Sequence, residues 1–334
     1  MEIPYVEDEI HRNVRNLIDS ASRHDIVGMQ AMLDLGISVD AAPSNSGWNA
    51  LMTSVQKGHL AVVQFLLDQG AGVNRAARNG ITPISIACYK SNRTEILPMV
   101  KLLLRNGADP CIAAHDGSTA MDYLFDSHGM VVNLHWEERE FEELLRLLFK
   151  YGSDVDRYYQ TPFIITAVEE YNISMGAVKL ILEAMRHKDP RMSALERVCP
   201  VKHSNALHSA ICADNLKAVK LLLLYGADIR VRDETGRDAE ECARFCAQHI
   251  YGTEKEIEEL LTLVTTKVDE RLIEEIAAMG CHERSSQSRI NTLPPGMLTY
   301  LLGYSRHQQS HLTPDEKLVS DIVSAQLRRR RMNQ

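Results

Sequence analysis

The sequence contains no long apolar run, and no segment approaches the ~18 consecutive apolar residues that a membrane-spanning helix requires. It also lacks an excess of positive charge, because 45 acidic residues outnumber 37 basic ones and the formal net charge is −8. This charge gives no electrostatic reason to expect a nucleic acid or an anionic membrane as partner. The opening Met1-Glu2-Ile3-Pro4 begins an acidic stretch unlike a secretion signal. We therefore expect a cytoplasmic or nuclear protein.

The signatures of common enzyme classes are missing as well. The sequence has no phosphate-cradling glycine loop, no Gly-x-Ser-x-Gly elbow and no His-Glu-x-x-His helix. Neither His59 nor His208 is accompanied by a motif that would hold a nucleophile or a carboxylate beside it. These absences predict a protein that is not an enzyme and has no cofactor.

The seven cysteines are scattered, without the paired spacing of zinc ligands. Cys242 and Cys246 stand one helical turn apart and would present two thiolates on one face of a helix. No second pair and no nearby His-x3-His completes a site around them. The prediction is therefore reduced, mostly buried thiols and no metal.

What the sequence does contain is a repeat. The segment from Asn49 to Gly70 begins with Asn-Ala-Leu, carries a Leu-Leu pair and ends in Gly-Ala. The segment from Asn205 to Gly226 has the same length and the same three features. Such identity of spacing, as well as of composition, indicates a solenoid of stacked units.

Each unit has the features of two short helices joined by a turn. Thr82-Pro83 and Thr161-Pro162 favour helix starts, because threonine caps open amides and proline at the first position loses no hydrogen bond. Small residues in the first helix would let a neighbour approach closely: Ser54, Ala87, Ala167 and Ala210. Glycines then occupy the positions where a left-handed residue ends the second helix: Gly36, Gly70, Gly107, Gly152 and Gly226.

This unit resembles the ankyrin repeat, which is two helices and an outward β-turn finger over about 33 residues. The resemblance extends over about residues 11–260 and implies an all-α ankyrin-repeat solenoid. We expect an N-terminal arm at 1–10, an array of about six to seven helix-turn-helix units at 11–261, and a helical C-terminal extension at 262–334. Within this frame, His59 and His208 stand where such repeats use histidine to bond backbone across the turn or in the neighbouring repeat.

Three places depart from the regular repeat. Residues are inserted around Ser91 to Thr94 and, in a longer stretch, at 127–138. Met185 replaces a closing glycine, and the stretch 186–202 fits no repeat. We predict that the regular stacking is disturbed at 127–138 and at 186–202.

The resemblance also implies where a partner binds. Ankyrin-like proteins usually bind on the concave face made of finger tips and first-helix positions, whose side chains are not needed for stacking. The alignment places these residues at that face: Asn45, Trp48, Gln56, Lys57, Arg78, Asn79, Ile81, Tyr89, Lys90, His115, Asp116, Tyr158 and Tyr159. Trp48 has two interpretations, since a finger tryptophan is either an exposed interface anchor or packed on the adjacent finger.

A short segment in the C-terminal extension resembles two adaptor-binding motifs. Leu293-Pro294 followed by Leu298, Leu301 and Leu302 is similar to the opening of an F-box, whose leucines dock on a ubiquitin-ligase adaptor. Tyr300-Leu301 after a Leu-Pro segment is also similar to a SOCS box, with one residue inserted. Short motifs often match by chance. The alternative is that these helices cap the last repeat.

The final basic run, Arg328 to Arg331, also has alternatives. It would suit a nuclear-import signal or a phosphate-binding patch. It would equally suit a helix C-terminus, where the arginines face the negative end of the helix dipole.

Together the features of the sequence predict a monomeric, non-enzymatic scaffold that binds a protein partner on the finger and first-helix face. The alternative function is a substrate receptor, in which the repeats hold a target and the tail recruits a ubiquitin ligase.

Overall fold

The computed structural model describes residues 3–89, 96–130, 138–156, 161–169, 173–249, 256–259 and 261–262. Its named helices are α1 (Ile3–Ser22), α2 (Ile26–Asp34), α3 (Ala50–Lys57), α4 (Leu60–Asp68), α5 (Pro83–Tyr89), α6 (Ile96–Arg105), α7 (Ala120–Met130), α8 (Glu138–Lys150), α9 (Phe163–Glu169), α10 (Met175–Lys188), α11 (Ala206–Cys212), α12 (Leu216–Leu224) and α13 (Ala239–His249). A 3-10 helix occupies Ser193–Glu196. No helix in these ranges combines the length and apolar character needed to cross a bilayer.

The described residues fall into two compact units. The first contains those up to Thr166 and those at 173–181, and the second contains 167–169 and the residues from Leu182 onward. In the first unit, helices α1, α3, α5 and α7 pack one against the next, as do α4, α6 and α8. In the second unit, α11 packs against both α12 and α13. Within each unit these helices pack on those of the adjacent repeat, in agreement with the predicted solenoid of helical repeats.

Side-chain caps fix the starts of several helices, among them α3 and α11. The Asn49 side chain accepts a hydrogen bond from the Met52 amide at 2.9 Å, and Asn205 caps the His208 amide in the same way at 3.0 Å. Pro83 is the first residue of α5, as the Thr-Pro motif predicts. After the second motif, α9 begins at Phe163, one residue beyond the proline. The repeated Asn-Ala-Leu segments therefore have a local cause, because asparagine is a strong helix cap.

Glycines end the second helices as predicted. Gly70 has a φ of 83°, and its amide bonds to the Leu67 carbonyl at 3.0 Å. The next amide, of Ala71, reaches back to the Leu66 carbonyl at 3.0 Å. This pair of bonds is a Schellman motif, which requires a left-handed residue at the glycine position. The same motif ends second helices at Gly36, Gly107, Gly152 and Gly226.

The core lies between the helices of successive repeats. Val62, Val63 and Leu66 of α4 are fully buried, as the apolar stripe of the second helix predicts. The four small residues predicted to allow close helix approach are also buried: Ser54, Ala87, Ala167 and Ala210. Large side chains at these positions would have to displace neighbouring helices, so the small residues allow the close packing of the repeats.

The termini and insertions differ in how much of them the structure describes. Helix α1 begins at Ile3, so residues 3–10 of the predicted arm are the start of a helix. Part of the insertion at 127–138 lengthens α7 to Met130, and α8 begins at Glu138. The insertion around Ser91 to Thr94, most of the predicted C-terminal extension and the Arg328–Arg331 run lie outside the described residues.

The irregular stretch at 186–202 has a definite structure. Helix α10 runs past Met185 to Lys188, and the Asp189 side chain then accepts hydrogen bonds from the Arg191 and Ser193 amides. After the 3-10 helix, Cys199 pairs with Ser204 in an isolated bridge around His203, whose φ is 57°. This turn is a finger that the sequence analysis missed, because histidine occupies the left-handed position that glycine takes in the other fingers.

Candidate functional site

Three of the described fingers are tight turns that are each closed by two backbone hydrogen bonds. In the finger at residues 77–81, the Ala77 amide donates to the Ile81 carbonyl at 2.8 Å and the Gly80 amide donates to the Ala77 carbonyl at 2.9 Å. The same pair of bonds closes the fingers at 114–118 and 233–237. The tips therefore have a fixed backbone geometry on which their side chains are displayed.

Neighbouring fingers of the first unit are also bonded to each other. The Arg78 amide donates to the Ser46 carbonyl at 3.0 Å, and the His115 amide donates to the Asn79 carbonyl at 2.9 Å. The approach is close enough that a Cβ on Gly80 would lie 2.7 Å from the His115 nitrogen. In the second unit, the Glu234 amide donates to the His203 carbonyl at 3.2 Å. We call the bonded tips at Asn45–Ser46, Arg78–Asn79 and His115–Asp116 the finger row.

Most of the predicted partner-binding residues are exposed where the structure describes them. The exposed ones are Asn45, Gln56, Lys57, Arg78, Asn79, Tyr89, His115 and Asp116, while Trp48 and Ile81 are half-buried. Lys90, Tyr158 and Tyr159 lie outside the described residues. Two of the exposed residues also hold their own turns, since Asn79 accepts from the Ile81 amide at 3.3 Å and Asp116 from the Ser118 amide at 2.9 Å.

The aromatic residues of this face differ in exposure. Trp48 is half-buried, so part of the side chain is packed against the protein. Tyr89, at the end of α5, is 45% exposed. Its ring meets Tyr123 of α7 edge to face, with centroids 5.9 Å apart. Sequence reasoning missed Tyr123, because the apolar pattern of α7 gives no sign that its first-helix tyrosine meets the preceding repeat.

The predicted adaptor-docking residues cannot be placed at a site. Leu293, Pro294, Leu298, Leu301 and Leu302 all lie outside the described residues. Docking of a ubiquitin-ligase adaptor stays a prediction from the sequence.

The two histidines assigned structural roles do bond to neighbouring repeats. The His59 Nε2 atom lies 3.1 Å from the Ser22 carbonyl oxygen at the end of α1. The Nε2 atom of buried His208 lies 3.0 Å from the Arg237 carbonyl oxygen, in the next finger. Both contacts confirm the prediction that these rings bond backbone groups of adjacent repeats.

Burial gives His208 a predictable effect on stability. Desolvation lowers the pKa of His208 below 6.5, although the hydrogen bond to Arg237 and the carboxylates of Asp233 and Asp238 oppose the shift. Below pH 6.5 the unfolded chain then binds the proton more readily than the folded chain, so the free energy of unfolding falls as pH drops. We expect denaturant titrations between pH 7 and pH 5 to show a shallower fall for His208→Gln. Equal slopes in both proteins would contradict this expectation.

A second candidate site is a cluster of three cysteines in the second unit. Cys212 is the last residue of α11, and Cys242 and Cys246 lie one turn apart on α13. Their three sulfur atoms lie within 4.8 Å of one another, with 3.8 Å between those of Cys212 and Cys242. Cys212 is exposed, whereas the other two thiols are buried. The sequence analysis did not predict that these three cysteines come together.

Hydrogen bonds within the cluster distinguish Cys212 from Cys242. Bonds from Cys242 and then Cys246, together with the nearby charge of Arg237, lower the pKa of Cys212 to about 6 although burial opposes the shift. The hydrogen bond with Cys212, and then burial, raise the pKa of Cys242. Cys88, by contrast, is fully buried in the first-unit core, and burial raises its pKa to about 12. The cluster therefore favours the deprotonated form of Cys212 over that of Cys242.

The repeat register contained the signal for this cluster. Cys212 and Cys242 belong to the first helices of two consecutive repeats, and first helices of consecutive repeats pack together. A search for ligands close in sequence does not detect residues that the stacking of repeats brings together.

Family models match much of the chain. The ankyrin repeat model matches residues 46–78 and 79–115, and a model of three ankyrin repeat copies matches residues 130–233. Together these stretches make up just over half of the chain. The boundaries at 78 and 79 fall within the finger tip at Arg78–Asn79.

Curated relatives share short stretches of sequence with this chain. The ankyrin repeat and KH domain-containing protein mask-1 of Caenorhabditis elegans is 41% identical over 69 residues, covering 20% of this chain and 2% of that protein. The 2-5A-dependent ribonuclease of Mus musculus is 36% identical over 72 residues, covering 22% of this chain and 10% of that protein. The chain thus matches only a small part of the length of these relatives.

A solved structure supports the same fold over a longer range. The crystal structure of the ankyrin repeat domain of Bcl-3 aligns with 68% of this chain and 92% of its own, at a TM-score of 0.51 and 22% sequence identity. With the capped helix starts, the Schellman ends and the closed fingers, these matches lead to one conclusion. The chain belongs to the ankyrin repeat family.

Proposed function

We propose that this protein is a non-enzymatic interaction scaffold whose protein partner binds across the finger row and the first helices of the first unit. Ankyrin repeat proteins generally act as protein-interaction scaffolds. Solenoid repeats offer extended surfaces for such binding, because stacking uses only the faces between repeats. The scaffold role is general to the family, whereas the proposed surface depends on the exposed residues of this chain.

One observation carries the proposal: the finger row holds its side chains outward on a backbone that is already bonded in place. Arg78 and His115 are exposed, while their amides bond to the preceding finger. A partner would therefore meet ordered side chains and would lose little conformational freedom in binding them. Preorganisation of this kind raises affinity without additional contacts.

The exposed residues also indicate the chemistry of the partner surface. Lys57 and Arg78 contribute positive charge to a chain whose net charge is −8, and Tyr89 adds a half-exposed aromatic ring. Arginine and tyrosine are enriched among residues that dominate binding energy. We therefore propose a partner segment with carboxylates and apolar side chains facing these three residues.

Replacing two of these residues tests the proposal. Partners captured from a native extract by the wild-type chain would be identified by mass spectrometry and their affinities measured with purified components. We expect Arg78→Glu combined with Tyr89→Ala to weaken binding on the order of 30-fold or more. This corresponds to a combined loss of about 2 kcal/mol or more from the two interface anchors. Trp48 is left intact, because a larger share of its side chain than of Tyr89 is packed against the protein.

A matched pair on the second helices serves as control. Arg105 in α6 and Gln64 in α4 are exposed and belong to second helices rather than to the finger row. Arg105→Glu with Gln64→Ala makes the same charge change and should leave affinity within about two-fold, as expected of residues outside an interface. Equal losses in both pairs, or no loss in the first pair with helical spectra unchanged, would place the binding surface elsewhere.

A further inference from the structure

Three thiols from consecutive repeats converge in the second unit, and nothing in the ankyrin fold requires them. We infer that Cys212, Cys242 and Cys246 form a binding site for a thiophilic cation, Zn²⁺ or Cu⁺. The inference rests on the mutual geometry of the three sulfur atoms, on the chemistry of the donor set and on the exposure of Cys212. It is independent of the proposed partner surface, which belongs to the other unit.

The sulfur positions fit a metal-bound geometry with little adjustment. All three lie within 4.8 Å of one another, and the Cys212–Cys242 separation is 3.8 Å. Sulfur atoms about 2.3 Å from a tetrahedral zinc ion are roughly 3.8 Å apart. The observed separation therefore matches the edge of a tetrathiolate-type tetrahedron, with three of its four corners occupied by this chain.

The donor set selects the class of ion. Thiolates are soft ligands and bind Zn²⁺ and Cu⁺ in preference to Mg²⁺ or Ca²⁺, which require oxygen donors. Two of the thiols are supplied by one turn of α13, so the ion would be held against a rigid element. The third, from α11, would join the first helices of two consecutive repeats. Bound metal would thus cross-link α11 to α13.

Exposure determines how such an ion would be coordinated. Cys242 and Cys246 are 1% and 4% exposed, whereas Cys212 is at the surface. The ion would lie at the rim of the helix pair, with its remaining position directed to solvent. For Zn²⁺ that position would take water or a ligand from another molecule, and Cu⁺ would be satisfied by the three thiolates alone.

A disulfide explains the arrangement less well. A disulfide requires sulfur atoms about 2.05 Å apart and joins only two of them. The Cys212 and Cys242 sulfurs, 3.8 Å apart, are close enough to form one, but the third thiol would have no part in the bond. A cation would use all three thiols, whose sulfur atoms already lie within 4.8 Å of one another.

Metal competition on the full-length protein tests the inference. The chain would be reduced, stripped with a chelator and titrated with Zn²⁺ and, separately, with Cu⁺ against chromophoric competitors. We expect one ion per chain to be retained, and Cys212→Ser to weaken binding at least about 100-fold, since loss of a ligand should cost at least as much as loss of its supporting hydrogen bond. Whichever ion binds more tightly identifies the metal of this site.

A second cysteine of the same unit provides the control. Cys199 is buried at 1% exposure in the Cys199–Ser204 finger, apart from the three thiols. Cys199→Ser should retain the ion, and Cys242→Ser should lose it if the variant keeps its helical spectrum. Co²⁺ binding provides a separate measurement, because thiolate ligands give an intense near-ultraviolet charge-transfer band that Cys212→Ser should weaken.

Several outcomes would overturn the inference. These are no retention of either ion, retention unchanged in Cys212→Ser, or an equal loss in Cys199→Ser. Alkylation of the metal-stripped protein, followed by mass spectrometry without reduction, tests the remaining alternative. Failure to bind either ion, together with a Cys212–Cys242 disulfide in air, would replace the metal site with a redox pair.

Discussion

Replacing Leu66 with alanine is expected to lower the free energy of unfolding by about 2–5 kcal/mol, the range for emptying a buried leucine site. Leu66 is fully buried in α4, and its carbonyl also accepts the Ala71 bond that ends the helix. Neighbouring helices are held by the other repeats and can close the cavity only in part. Urea or thermal unfolding followed by circular dichroism would measure the loss.

The matched control lies two residues earlier on the same helix. Gln64 is exposed, and its side-chain amide donates a hydrogen bond to Asp68 on the same helix, at 2.7 Å. Gln64→Ala should therefore change stability by about 0.5 kcal/mol or less. If Leu66→Ala lost no more stability than Gln64→Ala, the repeat register and the core assigned from it would be wrong.

Gly80→Ala is expected to be among the most damaging single-methyl changes in the first unit. Gly80 has a φ of 85°, where an L side chain costs about 1–2 kcal/mol. An added Cβ would also lie 2.7 Å from the His115 nitrogen and 2.9 Å from the Ala114 Cα, both of them backbone atoms. Such crowding adds about 1–3 kcal/mol, because the next finger must move away.

Gly107 separates these two contributions. It has the same φ of 85°, but nothing lies within 4 Å of the position its Cβ would take. Gly107→Ala should thus show the backbone cost alone, and the excess loss in Gly80→Ala measures the close approach of the fingers. Chemical denaturation of both variants measures the loss in the free energy of unfolding. Similar losses in both would mean that the finger row accommodates an added methyl group at little cost.

The regular repeats were predictable because each of their signals acts locally. Asn49 caps its own helix, and Gly70 ends the next one through bonds that span only a few residues. The finger around His203 was not predicted, since a left-handed histidine leaves no mark in the sequence that distinguishes it from an ordinary one. Fingers and helix ends were predicted where glycine occupies the left-handed position, and the finger was missed where histidine occupies it.

The binding face was predictable in position but not in detail. Repeat register alone predicts that Arg78 and His115 stand at finger tips, and both are exposed. It does not predict that Trp48 is half-buried or that Tyr89 meets Tyr123, because these depend on how neighbouring repeats rotate against each other. The cysteine cluster was missed for the same reason, since Cys212 meets Cys242 only across the repeat boundary.

The bonds along the finger row have an evolutionary consequence. They join backbone atoms, so the side chains of Arg78 and His115 contribute nothing to the bond that holds each tip. Mutation at these positions can therefore alter binding specificity without a matching loss of stability. Selection for new partners is then constrained little by the stability of the fold. A library randomised at Arg78 and His115, with Gly80 held constant, should yield mostly folded members with altered recognition.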